Sequence, residues 1–209
     1  MSAALVVLAR LLSGAQARWV GCRPDPHQRI YFANHSSHLD FLVLWATLPA
    51  EVRALTRPVA ARDYWERTRW RRYLATRVFR AILVDRGAAA PGRDRAARVE
   101  AARRTVEQTA EAIGARHSLI LFPEGTRGDG VDVGAFKSGL YHLCRRRPDL
   151  ELVPTYLEHL NRILPKGEVL PVPLLGSVTF GPFLTLQSHE EKDTFLARTR
   201  DALLSLRRS

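Results

Sequence analysis

The chain has 209 residues, of which 46 % are hydrophobic and 25 % charged, a composition that excludes an intrinsically disordered protein. Its formal net charge of +11 at pH 7 indicates a surface that attracts polyanions: nucleic acid, anionic lipid or phosphorylated substrates. No apolar run reaches the roughly 18 residues that a membrane-spanning helix requires. The two cysteines, Cys22 and Cys144, form neither a disulfide framework nor a metal motif, so a reduced, cytosolic compartment is expected.

The first predicted element is an apolar helix within residues 1–20, because residues 3–12 are apolar except for Arg10. No basic residues precede this stretch and no cleavage site follows it, so a signal peptide is not expected. The helix is expected either to pack on the protein or to lie in a membrane interface.

Strand and helix patterns alternate along the rest of the chain. Short apolar or alternating runs predict strands over residues 28–33, 81–84, 118–122 and 150–157, and one edge strand within the proline-broken stretch 169–184. Apolar residues at helical spacing predict helices over residues 37–47, 93–115, 133–147 and 190–206. This alternation predicts one α/β domain over residues 1–209. Ligands of such folds bind beyond the carboxyl ends of the strands.

A histidine and an aspartate follow the first of these strands. His35 and Asp40 are five residues apart, and they converge only if His35 lies in the loop and Asp40 in the first turn of the next helix. The sequence Ser37-His38-Leu39-Asp40 fits the capping box that such a start favours. A histidine that a carboxylate holds at one ring nitrogen can accept a proton at the other, as a general base does. The alternative is that Asp40 only caps the helix. No metal is expected, since further ligands are not evident.

A second polar sequence, Phe122-Pro123-Glu124-Gly125-Thr126-Arg127, follows the strand 118–122. Gly125 would let a ligand approach the backbone, and Arg127 offers a guanidinium fork for a phosphate. Thr126 can donate a hydrogen bond, and Glu124 can pair with Arg127 or with a substrate hydroxyl. The same residues are also typical of an ordinary turn. The chain contains neither a Walker loop nor a Gly-x-Ser-x-Gly nucleophile elbow.

Residues 64–73 interleave tryptophan and tyrosine with four arginines. Three interpretations remain open. The aromatic residues could stack on bases of single-stranded nucleic acid. They could also lie at headgroup depth while the arginines contact anionic lipid. Alternatively, the stretch is a solvated basic helix whose aromatic side chains pack inward.

Taken together, these motifs resemble the blocks of the glycerolipid (lysophospholipid) acyltransferase family, to which 1-acylglycerol-3-phosphate acyltransferases belong. Four sequences match the family's blocks in order over residues 34–154, namely His35-x4-Asp40, Leu83-Val84-Asp85-Arg86, Phe122 to Arg127, and Val153-Pro154. Phe136-Lys137-Ser138-Gly139 follows the third block at the usual distance. Two positions depart from the family: Arg80 stands where glycine is usual, and Gly128 where serine is common. Arg80 would add positive charge near an acceptor unless it faces solvent.

The resemblance implies a mixed, mostly parallel sheet flanked by helices in a single glycerol-phosphate-acyltransferase-like domain. It also implies that His35 deprotonates an acceptor hydroxyl, which attacks the thioester of acyl-CoA or acyl carrier protein, while Asp40 holds the histidine tautomer. The residues implied for substrate binding, chiefly for the acceptor's phosphate, are Arg86, Glu124, Gly125, Thr126, Arg127 and Lys137.

The favoured acceptor is 1-acylglycerol-3-phosphate, also called lysophosphatidic acid. Glycerol-3-phosphate, a lyso-aminolipid, or a non-catalytic module that binds membrane or nucleic acid are the alternatives. No cofactor is expected beyond acyl-CoA or acyl carrier protein as co-substrate. Since the acceptor is a lipid, the expected location is the cytoplasmic face of the cell membrane, as a peripheral or monotopic protein on an anionic surface, with no nucleic-acid partner.

Overall fold

The computed structural model describes residues 2–37, 39–85, 94–158 and 176–207. Within these residues seven strands form one sheet, in the order β1-β7-β6-β2-β5-β3-β4. The strands are β1 (Gln16–Trp19), β2 (Arg29–Ala33), β3 (Thr56–Ala61), β4 (Ile82–Val84), β5 (Ser118–Leu121), β6 (Glu151–Glu158) and β7 (Ser177–Phe180). All neighbouring strands are parallel except β6 and β7, which are antiparallel. The predicted mixed, mostly parallel sheet is therefore confirmed.

Helices cover both faces of this sheet. They are α1 (Ser2–Ser13), α2 (Asp40–Thr47), α3 (Ala50–Leu55), α4 (Arg62–Trp65), α5 (Arg69–Tyr73), α6 (Arg95–Ile113), α7 (Gly139–Arg146) and α8 (Lys192–Leu204), and a π-helical turn (Leu74–Val78) follows α5. No helix in the described part of the chain is long and apolar enough to cross a bilayer.

The central strand β2 supplies both hydrophobic cores, because successive side chains of a strand point to opposite faces. Tyr31 and Ala33 belong to one core, with α1, α2, α3 and the π-helical turn. Ile30 and Phe32 belong to the other, with α6, α7 and α8. All five residues of β2 are buried, as expected for a strand in the middle of a parallel sheet.

The N-terminal helix, the strand β7 and the helix α7 differ from the prediction. The N-terminal helix ends at Ser13, and residues 16–19 instead form an edge strand beside β7. β7 is for that reason an interior strand and not the expected edge strand. α7 begins at Gly139 and not at residue 133, because two buried apolar side chains of the preceding loop, Val133 and Phe136, happen to continue the helical spacing.

The elements α3 and β3 were not predicted. They follow α2 directly, and β3 contains Pro58. Pairing with β5 on one side and β4 on the other stabilises β3, and these contacts are distant in sequence. Local patterns do not reveal such pairings.

Candidate active site

The sheet brings the two sequence motifs together. β2 and β5 are parallel neighbours, with Phe32 in register with Leu121, so the loops that follow them lie side by side at the carboxyl-terminal end of the sheet. As a result the His35 ring stacks on the Phe122 ring, with centroids 4.3 Å apart and planes inclined by 24°. The His35 carbonyl also accepts a hydrogen bond of 2.8 Å from the backbone N–H of Gly128.

His35 and Asp40 form the expected pair. His35 Nδ1 lies 2.8 Å from Asp40 Oδ2. The Asp40 side chain is fully buried, whereas 23 % of the His35 side chain is exposed. Asp40 Oδ2 also accepts hydrogen bonds from the backbone N–H groups of Ser36 at 2.6 Å and Ser37 at 2.7 Å. A carboxylate oxygen has no proton to donate, so Nδ1–H is the donor in this contact, and in the neutral imidazole Nε2 is then the nitrogen that can accept a proton.

The start of α2 creates this geometry. Asp40 is the first residue of the helix, and its carboxylate reaches back to the backbone of Ser36 and Ser37. This is one half of a capping box, since the Ser37 hydroxyl accepts instead from the backbone N–H of Leu39, at 3.2 Å. The predicted arrangement is thus correct, although the helix begins three residues later than expected.

Glu124 links the two loops. Its Oε1 accepts a 2.7 Å hydrogen bond from the backbone N–H of His35, and its Oε2 accepts one of 2.8 Å from Gly134. The residue is buried, and a Cβ at position 134 would lie 3.0 Å from Oε2. No ion pair joins Glu124 to Arg127 among the described residues. The carboxylate therefore fixes the backbone of His35, a role that the sequence did not suggest.

Gly125 and Lys137 are in close contact. Gly125 has a φ of +68° and closes a turn through its N–H to the Phe122 carbonyl, at 3.0 Å. A Cβ added to Gly125 would meet Lys137 Nζ at 2.8 Å, so the lysine side chain lies directly over the glycine backbone. The Lys137 N–H binds the Pro123 carbonyl at 2.9 Å, which holds the two segments together. Lys137 is exposed, as are Thr126 and Arg127 in the same loop.

A cavity of about 360 Å³ opens beside this loop. Its lining residues are Glu124, Thr126, Gly128, Asp129, Asp132, Gly134 and Ala135. The backbone N–H of Val131, and then that of Asp132, hold the pKa of Asp129 below its ordinary value, so the cavity wall is acidic at neutral pH. Neither Lys137 nor Arg127 lines it, and an anion bound by these cations would lie outside the cavity.

Arg86 and Arg80 are the two other positions that the sequence singled out. Arg86 lies outside the described residues. Arg80 precedes β4 at the amino end of the strands, whereas His35 follows β2 at the carboxyl end, so Arg80 does not add charge near His35. It is exposed and has a φ of +49°, a left-handed conformation that glycine adopts without steric cost. This conformation explains why glycine suits the position.

Sequence reasoning missed several contributors. Phe122 lay inside the second motif but had no assigned role, and the backbone N–H groups of Ser36 and Ser37 and the glycine at 134 were not considered. The contact of Phe122 with His35 depends on the pairing of β2 with β5, which local patterns do not reveal. No sequence pattern identifies Gly134 either, because only the folded loop brings its N–H to Glu124.

Comparison with known proteins places the chain in a family. A protein-family model described as Acyltransferase matches residues 22–158, more than half of the chain, and this range includes both motifs. The fold is similar to the crystal structure of the 1-acyl-sn-glycerophosphate (LPA) acyltransferase, PlsC, from Thermotoga maritima, with a TM-score of 0.66 and 14 % identity over 96 % of this chain and 77 % of that one. No curated protein matches the sequence. On the strength of the family match, this chain belongs to the Acyltransferase family.

Proposed function

We propose that this acyltransferase moves a fatty acyl group from acyl-CoA or acyl carrier protein to the free hydroxyl of a lysophospholipid. The favoured acceptor is 1-acylglycerol-3-phosphate, and the product is then phosphatidic acid. The observation that supports this chemistry most directly is the 2.8 Å contact between His35 Nδ1 and the buried Asp40 Oδ2. The structurally similar Thermotoga maritima protein is a 1-acyl-sn-glycerophosphate (LPA) acyltransferase, which supports the choice of acceptor.

The reaction begins when His35 Nε2 accepts the proton of the acceptor hydroxyl. The hydroxyl oxygen attacks the thioester carbonyl and forms a tetrahedral intermediate. The intermediate collapses with cleavage of the carbon–sulfur bond, and the imidazolium returns its proton to the leaving thiolate. Asp40 stabilises the imidazolium and keeps Nε2 free to accept. General-base assistance of this kind contributes about 10² to 10⁴ in rate.

Recognition of the acceptor's phosphate is assigned to Lys137 and Arg127, together with Arg86. The first two are exposed cations at the Gly125 turn: the Lys137 side chain lies over the Gly125 backbone, and Arg127 follows Gly125 by two residues. Thr126 is exposed in the same loop and can donate a hydrogen bond. Glu124 contributes by fixing the loop, since both of its carboxylate oxygens accept backbone N–H groups.

Attachment to an anionic membrane at the cytoplasmic face is part of the same proposal. α1 and the helical segment 62–78 pack on the sheet face that also carries α2. Their outward side chains include large apolar ones, Val7 and Leu8 on α1 and Trp70 and Tyr73 on α5, each more than two-fifths exposed. The Trp70 and Tyr73 rings are stacked, with centroids 5.9 Å apart. Aromatic residues beside arginines suit the headgroup region of a bilayer.

The aromatic residues of this segment are divided between two environments. Trp65 packs inward against Phe41 and Phe79, as the solvated-helix interpretation expected. Trp70 is 63 % exposed, which favours the membrane interpretation for α5.

Replacement of His35 by alanine tests the chemistry. We expect His35→Ala to lower kcat at least 10²-fold in a thiol-release assay with acyl-CoA and 1-acylglycerol-3-phosphate, while circular dichroism stays unchanged. His27 provides a matched control, because it also pairs through Nδ1 with an aspartate at 2.8 Å but is 80 % exposed. His27→Ala should retain full activity. A His35→Ala protein that remains active would refute the assignment, and parallel assays with glycerol-3-phosphate and a lyso-aminolipid test the acceptor.

Vesicle flotation tests the membrane proposal. The wild-type protein should float with phosphatidylglycerol vesicles, and the recovery should fall with added salt because the attraction to lipid is electrostatic. Trp70→Ser should reduce recovery severalfold. Equal recovery with neutral and anionic vesicles at every salt concentration would contradict the electrostatic part.

A further inference from the structure

An apolar stripe on α6 continues beyond the hydrophobic core. The stripe consists of Val99, Ala102, Val106, Ala110 and Ile113, and its spacing predicts a helix packed along its whole length. The structure shows packing from Val106 toward the carboxyl end, where Ile113 is buried and Val106 and Ala110 contact the core. Toward the amino end Ala102 is exposed and Val99 is 63 % exposed.

The uncovered part of the stripe forms the floor of a groove between α6 and α7. The groove has a volume of about 560 Å³. Its walls include Ser138 and Gly139 at the start of α7, and His142 one turn further along. It is larger than the cavity beside Glu124 and is separate from it.

Arginines stand on both sides of the apolar floor. Arg103 comes from α6, and Arg145 and Arg146 come from α7, whereas Glu107 is the one carboxylate in the lining. Glu107 is shared, since Arg146 lies at 3.2 Å and Arg103 at 4.0 Å from it. Arg145 has no carboxylate partner in the described part of the chain. Exposed ion pairs contribute little to stability, so the carboxylates of a binding partner could take the place of Glu107 at little cost in free energy.

The position of the groove relative to the site is also informative. Ser138 and Gly139 directly follow Lys137, whose side chain lies over Gly125 in the candidate active site. α6 and α7 pack on the sheet face opposite to α1 and α2. A partner held in the groove is therefore close to the catalytic loops and approaches from the side that faces away from the exposed residues of α1 and α5.

We propose that this groove docks the acyl carrier protein that delivers the acyl thioester. The inference rests on the proposed function and names the donor. An acidic helix with an exposed apolar side chain fits the groove, because its carboxylates would meet arginines on both rims while the apolar side chain covers Val99 and Val106. The arginines are spread over two helices, which matches the carboxylates along a protein helix better than the clustered phosphates of a nucleotide.

Two variants test the docking surface, and each has a matched control. Val99→Glu and Arg145→Ala should raise the Kd of fluorescently labelled acyl carrier protein, and lower kcat/KM with the acylated carrier, by about tenfold or more. Both variants should keep wild-type kcat/KM with acyl-CoA. Gln108→Glu adds the same charge about two and a half turns further along α6, and Arg104→Ala removes an arginine that does not line the groove. Both controls should behave as wild type.

The outcomes separate this inference from the proposed function. If Val99→Glu and Arg145→Ala bind the carrier as tightly as the wild type, the docking surface is overturned. Equal losses of kcat/KM with the acylated carrier and with acyl-CoA would also overturn it. Failure of the wild-type protein to bind the carrier at low salt would overturn it as well. If the wild type transfers acyl groups from neither donor, the proposed function fails, and groove-dependent binding of the carrier still decides the docking surface by itself.

Discussion

Replacement of Asp40 by asparagine separates the charge of this residue from its geometry. Oδ2 accepts from His35 Nδ1 and from the N–H groups of Ser36 and Ser37, whereas Oδ1 is buried without a hydrogen-bond partner among the described residues. An asparagine must therefore direct its carbonyl oxygen to the Oδ2 position, because its NH₂ group would face three donors there. The amide group then occupies the unpartnered position, and the His35 tautomer is retained.

The magnitude of the effect follows from these contacts. Three hydrogen bonds to a charged acceptor become bonds to a neutral one, which weakens each by about 1 kcal/mol. Removal of a buried charge offsets part of this loss. We expect a net destabilisation of about 1–2 kcal/mol, or a fall in Tm of roughly 2–8 °C. The imidazolium also loses its neighbouring charge, which should lower kcat by about 10² to 10⁴.

Steady-state thiol release and thermal unfolding of Asp40→Asn test both parts. KM should stay within about twofold of the wild-type value, because Asp40 is 0 % exposed and cannot contact a substrate. Asp25→Asn is the matched control, since Asp25 also lies 2.8 Å from a histidine Nδ1 but has 35 % of its side chain exposed. A folded Asp40→Asn protein whose kcat lies within tenfold of the wild type would refute the role of the carboxylate.

Two further predictions concern residues around the site. Glu124→Gln places an NH₂ group against the backbone N–H of either His35 or Gly134. Because two donors then face each other, the free energy of unfolding should fall by about 1–3 kcal/mol, and kcat should fall with it. An unchanged Tm would contradict the proposed link between the loops. Arg80→Gly relieves a left-handed conformation that costs an L-residue about 1–2 kcal/mol, partly offset by glycine's greater freedom when unfolded. The Tm of the variant should equal that of the wild type or exceed it by a few degrees, and its activity should stay within twofold of the wild type. A loss of activity confined to phosphorylated acceptors would show instead that Arg80 contributes to acceptor binding.

Local patterns predicted those parts of the protein that depend on neighbours in sequence. The strands β2, β5 and β6 and the helices α6 and α8 were recognised from periodicity within each segment. The pair of His35 and Asp40 was recognised for the same reason, since five residues and one helix start determine its geometry. The loop of Gly125 is likewise local, because one turn closes it.

Contacts between distant segments were beyond such patterns. β1 is a strand because β7 lies beside it, and the helical spacing of Val133 and Phe136 is produced by a loop that packs on the core. The exposed amino-terminal part of the apolar stripe on α6 is a further example, since the sequence predicts an apolar face but not which element packs against it.

The sequence by itself determined the α/β class, the histidine–aspartate pair and the family resemblance, because each rests on residue types at short spacing. Only the tertiary structure decided that Glu124 holds the backbone of His35 across 89 residues, that Phe122 supports the imidazole ring, and that Arg80 lies at the other end of the sheet. The physical reason is the order of the parallel strands. Pairing of β2 with β5 aligns the two motifs at one edge, and that pairing depends on the burial of the whole sheet and not on any single segment.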